Sequence, residues 1–262
     1  MVKSFSIHPK LAAVADLILN VIFVWLLMQV PSWLFVGVWF FFRIAIWALL
    51  LWLMYYPSEL SRWKHLLSLF VFTVGSVCFL LFIEWQPAWY MFGFIFIFFT
   101  FMSFWLLPAS NVSLTSFLKP HLRWRFIMSV IGLAGILEGI NAAIAFQLVY
   151  VSVWVWLVAA AVLSTAVAVW WWLEYGIERN KKLLALACVW FGMMLEFLWV
   201  MQILPLGYLV SSLVLVWCWY VLWLLARFSL TKEGINWKKQ MWFLGINAVL
   251  FASFLIFAVK WK

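Results

Sequence analysis

Three ionisable residues, Arg43, Glu138 and Glu196, sit inside long apolar runs. Arg43 lies about 13 residues from Tyr56, Glu138 about 13 beyond Arg125 and Glu196 about 14 beyond Lys182. At about 1.5 Å per helical residue, all three fall roughly 20 Å from the same boundary. A charge at the centre of an inserted helix costs about 2.5–3.5 kcal/mol on translocon scales, so such groups face the bundle interior and pair there. One guanidinium and two carboxylates carry one net negative charge, which a shared proton or a bound cation neutralises. The chemistry expected of this trio is therefore proton or ion handling.

The neighbouring residues suit that chemistry. Trp39 and Trp47 lie four residues on either side of Arg43 and share its helical face, where an indole can stack on the guanidinium. In "IGLAGILEGINAAIA", Gly135 and Gly139 form a Gly-x-x-x-Gly pair beside Glu138, with Asn141 three residues further on. Small residues at that spacing permit close helix approach, which makes this span central. Gly192 precedes Glu196 by one turn. Asp16, Asn20 and Asn247 form a second polar face nearer the boundary, suited to interhelical hydrogen bonds.

The elements that must position these groups are transmembrane helices. The 262 residues are 69% hydrophobic and 10% charged, well outside the range of a soluble domain. Apolar runs long enough to cross a hydrocarbon layer recur end to end, and the dyad alternation of a membrane β-barrel is missing from them. The expected fold is all-α, a polytopic transmembrane helix bundle of about nine spans. They fall near 11–30, 33–55, 66–84, 88–107, 126–148, 150–173, 183–204, 207–226 and 241–259. The basic, apolar start resembles a signal peptide, but Asp16 and Asn20 interrupt it and no small-residue cleavage site follows, so it reads as a retained first helix.

Connections alternate between very short turns, such as "QVPSW" and "EWQPAW", and longer basic segments. "QVPSWLFVG" and "QPAWYMFG" superpose Pro31 on Pro87, Trp33 on Trp89 and Gly37 on Gly93. Basic clusters return about every 57–61 residues: "RWK", "RWR", "RNKK" and "NWKK". The pattern describes one membrane domain of four tandem hairpins, 1–64, 65–125, 126–182 and 183–239, with a final helix over 240–262.

Every Lys and Arg except Arg43, Lys260 and Lys262 falls on the side of the longer connections. The positive-inside rule then predicts a plasma (inner) membrane protein with a cytoplasmic N-terminus and an outside C-terminus. The "NVS" sequon at Asn111 falls on the cytoplasmic side and is discounted. The same asymmetry accounts for the net charge of +9 through anionic membrane lipids rather than nucleic acid.

Cys78, Cys188 and Cys218 lie in apolar runs, and His8, His65 and His121 in or beside polar segments. The sequence therefore predicts no metal site, disulfide framework, haem or other cofactor. The abundant Trp and Phe read as lipid-facing filler. No catalytic motif appears, and an enzyme is disfavoured. Two readings compete: a small permease or ion-coupled transporter using Arg43, Glu138 and Glu196, and a structural or assembly subunit that uses the trio for packing against a membrane-protein partner.

Overall fold

A computed structural model describes residues 7–29, 33–54, 56, 60–107, 114–230, 234–235 and 237–258. Pro31, the Asn111 sequon, Lys260 and Lys262 lie outside them. Nine helices are present among the described residues: α1 (Pro9–Gln29), α2 (Trp33–Leu53), α3 (Arg62–Phe82), α4 (Gln86–Trp105), α5 (Leu114–Ala145), α6 (Val153–Glu174), α7 (Lys181–Ile203), α8 (Tyr208–Leu230) and α9 (Trp237–Ala258). The first eight each contain a segment long and apolar enough to cross a membrane, whereas the apolar part of α9, Gln240–Ile256, is shorter. The chain is thus a multi-pass helical membrane bundle.

The largest departure from the expected spans is α5, which begins at Leu114 rather than near 126 and contains Pro120. Much of the second long connection is therefore helical. Proline removes one helical N–H and clashes with the preceding turn, so on sequence grounds it argues for a break, yet α5 runs through Pro120. The structure has two compact units, Met1–Gly135 and Ile136–Lys262, and the division falls within α5.

In the first unit, α1 packs mainly against α4, and α3 against α4 and α2. Phe23, Trp47, Phe72, Phe96 and Phe104 are among the buried residues filling the space between them. Phe23 lies flat on Trp39 with ring centroids 3.4 Å apart, and Phe72 stacks on Phe96 at 6.1 Å. The α3 and α5 backbones come close at their glycines. A Cβ added at Gly132 would lie 2.5 Å from the Val71 carbonyl oxygen, and one at Gly75 would lie 2.6 Å from the Gly132 Cα. Only hydrogen atoms fit in that space. Gly135 meets Gly75 in the same crossing, with Gly132 three residues before it.

The second unit packs α6 against α7 and α7 against α8. Its interior is a tryptophan ladder. An indole N–H in hydrocarbon must find an acceptor, and a helical carbonyl retains a second lone pair for it. Trp219 Nε1 donates to the Ser164 carbonyl at 3.0 Å and Trp223 Nε1 to the Ala168 carbonyl at 3.2 Å. The same four-residue step on both helices means that α6 and α8 run parallel.

Candidate functional site

The first unit carries a buried polar network built from α1, α2 and α4. Asp16 and Asn20 stand one turn apart on α1, and Asn20 Nδ2 donates to Asp16 Oδ2 at 2.9 Å. From α2, Arg43 Nη2 donates to Asp16 Oδ1 in an ion pair, and Trp47 Nε1 donates to the same oxygen at 2.7 Å. From α4, Thr100 Oγ1 accepts from Asn20 Nδ2 at 2.7 Å and donates to the Phe96 carbonyl at 3.0 Å. Asp16, Asn20 and Thr100 have no solvent exposure and Arg43 has 1%. The Arg43 guanidinium carbon lies 4.8 Å from the Trp47 ring centroid, while Trp39 is engaged with Phe23 and Phe96.

Within the first unit the counter-ion of Arg43 is therefore Asp16, a residue the sequence placed on a separate secondary face rather than beside Arg43. The reason is reach. Asp16 is seven residues into α1 and Arg43 ten from the end of α2, so their Cα atoms lie about 10 and 15 Å from the basic ends. A long arginine stem spans that difference, as it does when snorkelling. The pairing leaves polar capacity unused: Arg43 Nε and Nη1 and Asn20 Oδ1 are buried without hydrogen-bond partners among the described residues.

Glu138, on the part of α5 in the second unit, is fully buried, and neither of its carboxyl oxygens has a hydrogen-bond partner among the described residues. Its neighbour Asn141 is occupied: Nδ2 donates to Ser212 Oγ at 2.8 Å, and Oδ1 accepts from Gln202 Nε2 at 2.9 Å. Glu196 is exposed on α7. That helix buries Leu183, Trp190, Met194 and Leu198. Two residues from both Met194 and Leu198, at about 100° per residue, Glu196 comes out on the opposite face. A side chain added at Gly192, one turn earlier, would meet open space. Asn247 lies on α9 in the second unit, where its Oδ1 accepts from Trp217 Nε1 at 3.1 Å and ties α9 to α8.

A cluster that sequence reasoning passed over lies where α3 and α5 meet near the basic end of the first unit. His65 and His121 are fully buried with rings 5.0 Å apart, and none of their four nitrogens has a hydrogen-bond partner among the described residues. Arg125 Nε donates to Ser68 Oγ beside them at 3.1 Å. The signal was in the sequence, where "RWKH" and "HLRWR" attach a histidine to each of two basic-Trp-basic triplets. No cluster of three His, Cys, Asp or Glu residues with metal-binding geometry occurs among the described residues.

Comparison with protein-family models, curated proteins and solved structures finds no match. The fold and the buried polar groups define a multi-pass helical membrane protein with ionisable residues inside its spans.

Proposed function

We propose that this chain is a small proton-linked permease for an anionic solute, with Arg43 as the anion-binding group and Asp16 as the carboxylate that releases it. The observation that carries the reading is the incomplete use of Arg43: Asp16 engages Nη2, while Nε and Nη1 have no hydrogen-bond partner among the described residues. A guanidinium offers five N–H donors in a planar fork matched to carboxylate and phosphate oxygens. Protonation of Asp16 weakens its hold on Arg43, and an anionic group of the solute then takes up the cation. Deprotonation restores the internal pair and expels the solute. Proton and anion thereby cross together.

Glu138 supports the same reading from the second unit. A charge without a partner in hydrocarbon demands a counter-charge, and a carboxylate meets that demand by taking a proton or a cation. The distribution of basic residues favours insertion in the plasma (inner) membrane with a cytoplasmic N-terminus. Reconstitution in vesicles tests the function: addition of small carboxylates or inorganic phosphate outside should drive protons inward, with the flux absent from Asp16→Asn and Arg43→Gln vesicles.

A second reading, that of a structural or assembly subunit, has its own observation. Both Asp16 oxygens are already engaged by donors from this chain, namely Arg43, Trp47 and Asn20. A static clamp needs that arrangement. In that case the substitutions alter stability and assembly, and wild-type vesicles show no solute-dependent flux.

A further inference from the structure

We infer that the cleft between the basic ends of α2 and α3 is a binding site for an anionic phospholipid, with one acyl chain along its apolar wall and the phosphate on Arg62. The cleft has a volume of about 720 Å³ and is lined by Ala45, Ala48, Leu49, Trp52, Arg62 and Leu66, among others. It lies within the first unit. Ala45 and Ala48, three residues apart on one face of α2, remove the side-chain bulk that would otherwise fill it.

Its two ends differ chemically. Toward the middle of the span the wall is Ala45, Ala48 and Leu49, all apolar. At the boundary stands Arg62, the first residue of α3, exposed and paired with no carboxylate among the described residues. Its guanidinium carbon lies 5.7 Å from the Tyr56 ring centroid. Trp52 and Trp63, 74% and 79% exposed, flank the mouth. Indoles favour the membrane–water interface, where headgroups lie. An apolar trough ending in a cation at headgroup level is complementary to one kind of membrane molecule, a lipid with a negatively charged phosphate. A zwitterionic lipid places a second positive charge beside Arg62, and a neutral lipid leaves it unpaired.

The test is native mass spectrometry of the full-length protein in mild detergent, with phosphatidylglycerol or phosphatidylcholine of identical acyl chains. Wild type should retain phosphatidylglycerol about fivefold better, the advantage expected of one basic residue near an anionic headgroup. Arg62→Gln should bring the two lipids to parity, and Arg179→Gln should not. Ala48→Phe should fill the trough and lower retention of both lipids; Ala45→Leu serves the same purpose if the bulkier variant fails to fold, as judged by helicity and gel filtration. An unchanged headgroup preference in Arg62→Gln would overturn the proposal. So would full retention in a folded trough-filling variant, which would reduce the preference to surface charge.

Discussion

Arg43 of α2 donates through Nη2 to Asp16 of α1, 27 residues earlier in the chain, and the pair lies wholly inside the first unit. Trp47, one turn from Arg43, completes the hold on the same carboxylate oxygen at 2.7 Å. Asp16 has no solvent exposure and Arg43 has 1%. Removing one strands the other, whereas removing both leaves a neutral, hydrogen-bonding site.

This asymmetry gives the first prediction. Arg43→Ala should destabilise the protein by about 3–5 kcal/mol, the range for breaking a buried pair. Asp16→Asn with Arg43→Gln should cost less than the sum of the single substitutions, by about 0.5–3 kcal/mol of coupling. Thermal unfolding in detergent of the two single variants and the double variant measures the difference. Strict additivity would show that the two side chains do not interact.

A second prediction concerns the asparagines that close each unit. Asn20 reaches Thr100 from the first helix of its unit to α4, and Asn141 reaches Ser212 from α5 to α8. Interhelical hydrogen bonds in membranes average about 0.6 kcal/mol and reach about 1.7. Ser212→Ala should fall in that range. Thr100→Val should cost more, because it removes an acceptor from a network that already contains the ion pair.

The glycine crossing sets a third. Gly132→Leu forces a side chain into the backbone of α3 near Val71 and Phe72. The two helices must separate, so the variant should lose its monodisperse elution in mild detergent. Gly192→Leu should elute like wild type, because the added side chain enters open space.

Glu138 supplies a prediction in which stability and function diverge. Replacing it with Met removes a buried carboxyl that has no hydrogen-bond partner among the described residues and should stabilise the fold by about 1–3 kcal/mol. The same change should abolish proton-coupled flux. Such a trade is characteristic of a group retained for activity rather than packing. A destabilised Glu138→Met that keeps its flux would assign the carboxyl a structural task.

The helices were legible in the sequence because hydrocarbon thickness dictates their length, and α2, α4 and α7 begin within two residues of where hydropathy places them. The start of α5 was not, because Pro120 and the polar residues around it mimic a loop. Side-chain partners were harder still. Spans such as α2 are apolar on nearly every face, so periodicity does not say which residues turn inward, and Glu196 and Glu138 look alike until α5 and α7 are placed. Depth along the helix grouped Arg43 with Glu138 and Glu196 and set Asp16 apart, nearer the boundary. It separated Arg43 from Asp16 because it compares Cα positions, whereas the ion pair is made at the end of a long side chain.

The most direct test of the proposed permease is the internal pH of sealed vesicles carrying the reconstituted protein, followed with a trapped pH-sensitive dye as small carboxylates or inorganic phosphate are added outside. The account predicts solute-dependent acidification in wild-type vesicles and, in Asp16→Asn or Arg43→Gln vesicles, only the response of protein-free liposomes. Acidification that is the same in all three preparations would contradict it, as would wild-type vesicles that respond no more than liposomes alone.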